Sequence, residues 1–444
     1  MAAVMLLLYH AQLLFTGSAY TPQPTGLGDN LQQVASATAG LPAYGGLTHA
    51  IGLVTWFGFQ FIDVFVLLSG FSLVLSLTDQ PRSPGTFLKQ RLPRILCPFW
   101  AVAWLSYPIL WAIAVATERD FPSPWQVFAG ITFPLLYQYD GDLLSATNGA
   151  WWLMSLVLAF SLLFPVCWWL LQRWGAANLL LLSTLLTVSY RLVAVYVFGG
   201  HPTYVLWDSP AGWQPFALFV AKLSTFVVGM AAGHAYTKRL GPVFWNAQKA
   251  LSVAVPVYIL GFLCQFSASG WVLADLLTPI GLTLIGMVVF RAIVNQFRIE
   301  PLLLWLGHYS YSYFLVHGIV VDAVLQLVVQ GDLLRYYLLL PVMVVGTFML
   351  AVLTDYASPL LWRMAQGVWR DLDYVLVQHP TLPPRLWNPR VGDPVLYRGQ
   401  SGWTVTKVEK LLDEQDMFLC QVSDGRQSLW VNEQDLAPSE KGGR

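Results

Sequence analysis

Residues 57–79 read FGFQFIDVFVLLSGFSLVLSLTD, an apolar run broken by one acid, Asp63, and by a small pair, Ser69-Gly70. A bilayer core about 30 Å thick takes about 20 mostly apolar residues per helix, because no water is there to satisfy an unpaired backbone. The run meets that length. Moving outward from it, the same test marks about ten spans, at approximately 1–16, 50–77, 95–116, 150–171, 177–198, 213–236, 250–268, 272–292, 302–329 and 335–358. The expected fold class is an all-α polytopic membrane bundle. The break at 269–271 is the least marked, and one kinked segment there would merge the seventh and eighth spans and reverse everything after them. The first 16 residues read as a span rather than a secretory signal, since they lack a basic leader and contain His10 and Gln12.

Composition points the same way. Of 444 residues, 56% are hydrophobic and 11% charged, against about a quarter charged in a soluble domain, which argues against a soluble globular enzyme. Lys plus Arg total 24 and Asp plus Glu total 24, so no basic excess exists to displace counterions from a phosphate backbone, and nucleic acid is not an expected partner. Cys97, Cys167, Cys264 and Cys420 stand far apart with no CxxC, which suits neither a disulfide framework nor a cysteine zinc site.

Orientation follows from the basic residues of the short connections. With an inside N-terminus, the inner connections hold Arg82, Lys89, Arg91, Arg94, Arg173, Lys238, Arg239, Lys249, Arg291 and Arg298, and the outer ones Arg119 and Arg335. Both termini are thus expected in the cytoplasm of an inner membrane. The outer loops at 17–49 and 117–149 are long and rich in Gly, Pro, Asn and aromatics, as suits a cavity mouth.

After the last span the pattern changes. Residues 385–444 carry 17 of the 48 formal charges, and short β-like runs appear at 395–397, 403–410, 418–422 and 428–431. Asp424-Gly425 predicts a type I′ hairpin turn. The expected organisation is a transmembrane domain over 1–375, a linker over 376–387 within a Pro-rich stretch, and a small SH3-like β-barrel over 388–440 that offers a surface for a cytoplasmic partner.

An ionisable group inside a span is costly unless paired or wet, and so marks a candidate site. The informative ones are His10, Asp63, Arg191, Lys222 and His317, which at 1.5 Å per residue could line one cavity open to the outer face. A neutral imidazole at His10 can take a proton from a hydroxyl at neutral pH; it reads equally as a histidine bonded to a neighbouring helix. Asp63 could orient that imidazole or pair with a base such as Lys222. Ser69 lacks the strand-turn-helix of a nucleophile elbow and, with Gly70, suits close helix packing. In FLKQRLPRILCPFW, at the start of the third span, Lys89, Arg91 and Arg94 suit the phosphates of a cytosolic ligand or plain anchoring to lipid headgroups. In WLGHYSYSYFLVH, Tyr313 and His317 stand one turn apart and share a face; His308 and His317, nine residues apart, make no zinc motif, and no metal is expected.

Taken in order, these segments resemble the acyltransferase 3 family of polytopic membrane proteins, which O-acylate exported carbohydrates and other acceptors. LLLYHA is similar to its first-span histidine motif, FGFQFIDVFVLLSGF to its second-span pattern, and FLKQRLPRILCPFW to its Arg-rich stretch. KLSTFVVGM resembles its basic-to-Gly-Met segment and WLGHYSYSYFLVH its late Ser-Tyr and His pattern. The resemblance covers roughly residues 1–330 and leaves the tail outside it. It implies acyl-CoA, acetyl-CoA in the first instance, as cytosolic co-substrate with no bound cofactor. It further implies a hydroxyl on a carbohydrate or glycolipid as acceptor, His10 as catalytic histidine, and Arg91 and Arg94 as inner-face arginines. Asp63 would hold the imidazole. Arg191, Lys222, Tyr313 and His317 would complete the substrate-binding set, with Arg191 or Lys222 at the oxyanion.

Two departures stand out. The family commonly has an Arg ten or eleven residues before the histidine, whereas Met1 is only nine before His10, and a start further upstream is the expectation. Val157 stands near the place of a family Glu in the fourth span, which raises the alternative of an inactive membrane partner. A transporter or flippase is the other rival class, in which buried charges bind substrate and Gly/Pro breaks let helices rock.

Overall fold

The computed structural model describes residues 1–17, 24–38, 52, 55–79, 81–118, 151–197, 217–373, 389–410, 418–432 and 435–439. The expected linker at 376–387 and most of the two long outer loops lie outside the described residues. The chain divides into two compact units, Met1–Met364 and Ala365–Arg444.

The first unit is helical. Its elements are α1 (Ala2–Phe15), α2 (Leu27–Thr38), a 3-10 turn (Gly58–Gln60), α3 (Phe61–Asp79), α4 (Pro84–Ala116), α5 (Trp152–Tyr196), α6 (Ala217–Thr237), α7 (Ala247–Cys264), α8 (Ala268–Phe297), α9 (Glu300–His308), α10 (Ser310–Val324) and α11 (Leu333–Asp373), which runs on into the second unit. Seven segments are long and apolar enough to cross a membrane, among the described residues, against the ten expected. The difference has three sources. At 14 residues α1 is only about 21 Å long, and the expected fourth and fifth spans count as one apolar segment, Leu153–Tyr196, although two helices meet within it at Gly175, which is not helical (φ 80°, ψ 166°). Ala217–Thr237 is also not among the seven. The seventh and eighth expected spans are two separate helices, but the break falls at Gln265–Ser267, where Ser267 caps α8 through the amide of Gly270 (3.1 Å).

Large apolar side chains such as Leu338, Met349 and Leu353 on α11 are exposed, as the lipid-facing surface of a membrane protein should be. The interior is tied by close backbone approaches that only glycine permits. A Cβ on Gly70 would lie 2.2 Å from the carbonyl oxygen of Phe226, and one on Gly229 would lie 1.9 Å from that of Leu67. These reciprocal contacts lock α3 against α6 and set which of their polar residues meet, while the Phe160–Phe226 stack at 4.4 Å joins α5 to α6. The packing role read for Ser69-Gly70 is carried by Gly70.

The second unit contains an antiparallel sheet of β1 (Pro394–Tyr397), β2 (Gln400–Lys410), β3 (Phe418–Ser423), β4 (Ser428–Asn432) and β5 (Leu436–Pro438), in the order β4-β3-β2-β1-β5. Its small core is Val395, Trp403, Val405, Cys420, Val422, Val431 and Leu436. Among the described residues the sheet does not close, with β4 and β5 as its edges, so these strands do not by themselves show the expected SH3-like barrel. The β3–β4 hairpin is present, but Ser423 pairs with Ser428, and the connection is therefore longer than the two-residue type I′ turn. Gly425 is its one residue at positive φ (84°), and the Asp424 carboxylate closes the turn by accepting from the amides of Arg426 (2.8 Å) and Gln427 (2.9 Å).

Candidate active site

The five ionisable residues singled out within apolar runs of the sequence do not gather at one place. They form two clusters of different chemistry.

The first joins α1 to α10. His317 is 1% exposed and His10 is half-buried. His317 Nδ1 lies 2.5 Å from the carbonyl oxygen of Phe314, an atom that only accepts, so this nitrogen carries a proton. In the neutral ring Nε2 is then the acceptor, and Nδ1 of His10, 2.9 Å away, donates to it. The network thus assigns His10 the tautomer with its lone pair on Nε2, the form in which an imidazole accepts a proton. Aromatic rings brace the pair: the two imidazole centroids are 5.0 Å apart, Tyr9 is 5.2 Å from His10, and Phe314 is 5.4 Å from His317. Nearby, Trp151 Nε1 donates to the carbonyl of Leu315 (3.0 Å), pinning the start of α5 to α10.

The second cluster is an ion quartet. Lys222 on α6 lies 2.9 Å from Asp63 Oδ1 and 2.5 Å from Asp275 Oδ2 on α8, and Arg191 on α5 reaches Asp275 at 3.1 Å. Arg191 also donates to the carbonyls of Ala221 (Nε, 2.9 Å) and Val272 (Nη1, 3.0 Å). All four residues are buried, at 6% exposure or less. Two cations and two carboxylates cancel, and the guanidinium is shared with backbone carbonyls, so the group is internally neutral and strongly bonded.

This arrangement corrects two expectations. Asp63 is bound by Lys222, the second of its two anticipated partners, and it is His317 that orients the His10 imidazole. Arg191 and Lys222 are committed to carboxylates and carbonyls in a buried site, which leaves neither placed as an oxyanion donor. Asp275, in WVLADLL, was missed; the rule that singled out Asp63, an acid inside an apolar run, would have found it.

The remaining candidates sit elsewhere. Arg94 and Lys89 are exposed on α4, and Arg91 is half-buried with its Nε buried and unbonded. Beside that stretch, Tyr311 donates to the carbonyl of Ile95 (2.8 Å). Tyr313 is 4% exposed, one turn from His317, and its hydroxyl has no hydrogen-bond partner. His308 is exposed and pairs with Asp355 (3.2 Å), whose other oxygen accepts from Ser312 (3.0 Å). Val157 is half-buried on α5.

Neither the curated proteins nor the solved structures contain a match to this chain. A family model does match: the one described as an acyltransferase domain, of the acyltransferase 3 type, aligns with residues 1–353, which include both clusters and exclude the sheet. With several membrane-length apolar helices and a match over most of its length, the chain belongs to the acyltransferase 3 family of membrane acyltransferases.

Proposed function

We propose that this membrane acyltransferase is an O-acyltransferase that moves an acyl group, acetyl in the first instance, from cytosolic acyl-CoA to a hydroxyl of a carbohydrate or glycolipid. The observation that carries the reading is the His10–His317 hydrogen bond, which leaves His10 Nε2 with its lone pair. In the proposed step, Nε2 takes the hydroxyl proton as the acceptor oxygen attacks the thioester carbonyl. The C–O bond forms, the C–S bond breaks, and the departing thiolate recovers the proton from His10. Throughout, Nδ1–H of His10 donates to His317, so the ring is held and its transient charge is stabilised. The unpartnered hydroxyl of Tyr313 is a donor for the reacting group.

Arg91 and Arg94 would receive the coenzyme phosphates from the cytoplasmic side, since a guanidinium pairs phosphate oxygens in a bidentate fork. The excess of basic residues in the connections assigned to the inner face supports an inner-membrane protein with both termini in the cytoplasm.

The test is transfer of label from acetyl-CoA to extracted glycolipids by the purified protein in lipid nanodiscs. Labelled product that disappears with His10→Gln is the expected result. Transfer that survives that substitution, or acceptor movement across the bilayer without acylation, would defeat the proposal.

A further inference from the structure

The 3-10 turn that precedes α3 carries a residue with no part in either cluster. Gly58 rests on α1, where a Cβ would meet the Met5 carbonyl oxygen at 2.5 Å and Tyr9 Cβ at 2.8 Å, and the Phe59 ring lies 5.8 Å from that of Tyr9. The next residue, Gln60, is thereby held beside the His10 segment. Its side chain turns to the end of α7: Gln60 Nε2 donates to Gln265 Oε1 (3.1 Å), while Gln60 Oε1 accepts from the Tyr258 hydroxyl (3.2 Å). Both glutamines are nearly sealed, at 4% and 2% exposure. Residues 25–26 lie against the turn after Gln265, with the Gly26 amide donating to Phe266 (2.8 Å) and Thr25 bridging Ser267.

The bonds run in one direction, from the Tyr258 hydroxyl to Gln60 Oε1 and from Gln60 Nε2 to Gln265 Oε1. They end on Gln265, whose Nε2 is buried and has no hydrogen-bond partner. A buried amide donor left unbonded is costly, and here it is backed by Gln60, which follows the turn that rests on α1. Such a donor fits an oxygen with lone pairs and rejects an alkyl group.

We infer that Gln265, oriented by Gln60 and Tyr258, is a specificity-determining residue that donates to a second oxygen of a polyhydroxylated acceptor, so that the enzyme prefers a sugar hydroxyl to a simple alcohol. This rests on the O-acyltransferase reading.

The experiment compares butyl glucoside with butanol as acceptors of label from acetyl-CoA, using the full chain in nanodiscs, and measures glucoside binding by calorimetry without donor. Gln265→Met should raise the KM for butyl glucoside about five- to tenfold, as loss of one neutral hydrogen bond does. It should leave the KM for acetyl-CoA and the turnover of butanol within twofold. Tyr258→Phe, which removes one hydroxyl and holds the fold if Gln265→Met does not, should shift the glucoside KM in the same direction by less. Unchanged glucoside KM in both variants of an active enzyme overturns the inference. Glucoside binding that weakens in the variants, from a protein that transfers nothing to any hydroxyl, supports it while defeating the reading beneath it.

Discussion

The histidine pair and the ion quartet are both buried polar clusters inside one bundle, yet they are built to opposite ends. In the quartet every charge is answered: Lys222 by two carboxylates, Asp275 by two cations, Arg191 by carbonyls as well. In the histidine pair the bonding runs in one direction, from His10 to His317 to the Phe314 carbonyl, and stops with a nitrogen lone pair unused. A closed network holds helices together, whereas an open one has capacity left for a substrate. The same distinction sets Gln265, with its unbonded amide, apart from Gln60, whose oxygen and nitrogen are both engaged.

Breaking the closed network should cost the most. Lys222→Met leaves Asp63 and Asp275 buried beside a single cation, and removing one partner of a buried pair costs about 3–5 kcal/mol. The expected outcome is a large fall in melting temperature in detergent and a low yield of inserted protein. Asp63→Asn/Lys222→Met should recover part of the loss. A variant Lys222→Met with wild-type melting would show that the quartet does not hold the bundle.

The open network should fail differently. His10→Gln should lower turnover by at least about 100-fold, the contribution of a positioned base, with melting unchanged. A smaller loss would move the base elsewhere. At the next position, His317→Leu strands the Nδ1–H of His10 and should lower kcat about 30-fold with little change in KM, while His317→Gln, whose carbonyl can still accept, should retain more. Equal losses in the two variants would leave His317 as packing only.

Farther from the pair, Arg91→Ala should raise the KM for acetyl-CoA about tenfold, the scale of one charged hydrogen bond. The effect should shrink for a pantetheine thioester, which lacks the nucleotide phosphates; equal effects would make Arg91 a headgroup anchor.

The smallest effect belongs to the exposed sheet, where water can replace any lost bond. The amides of Gln427 and Arg426 hold the Asp424 carboxyl below the usual carboxylate range. Its contribution is therefore present above the ordinary carboxylate pKa and is lost as the pH falls through the depressed value. Asp424→Ala should speed amide exchange at Arg426 and Gln427, measured by mass spectrometry at neutral pH, with acyl transfer unaffected. Exchange as slow as wild type would mean the turn is closed by its backbone alone.

Much of this was legible in the chain because it depends on local pattern. Hydropathy marks runs such as 57–79, since the bilayer imposes one length on every span. Alternating runs mark four of the five strands; β5, three residues long, is too short to show a period. His10, Asp63, Lys222, Arg191 and His317 were visible as polar interruptions of apolar segments. The hairpin at Asp424-Gly425 was legible as a hairpin but not in its length, because the Asp424 side chain, rather than a second positive φ, closes the turn.

What the sequence determined by itself was the class of the protein and the residues under suspicion, because the energy of placing a charge or a backbone in hydrocarbon is set by residue type and run length. Which of those residues meet was decided only by tertiary packing. His10 and His317 are 307 positions apart, and Asp63 and Lys222 are 159 apart; no periodicity links positions so distant. Their pairing depends on how far each helix is rotated and slid against its neighbour. For α3 and α6 that is set by Gly70 and Gly229, where the two backbones touch and a single methyl group would force them apart.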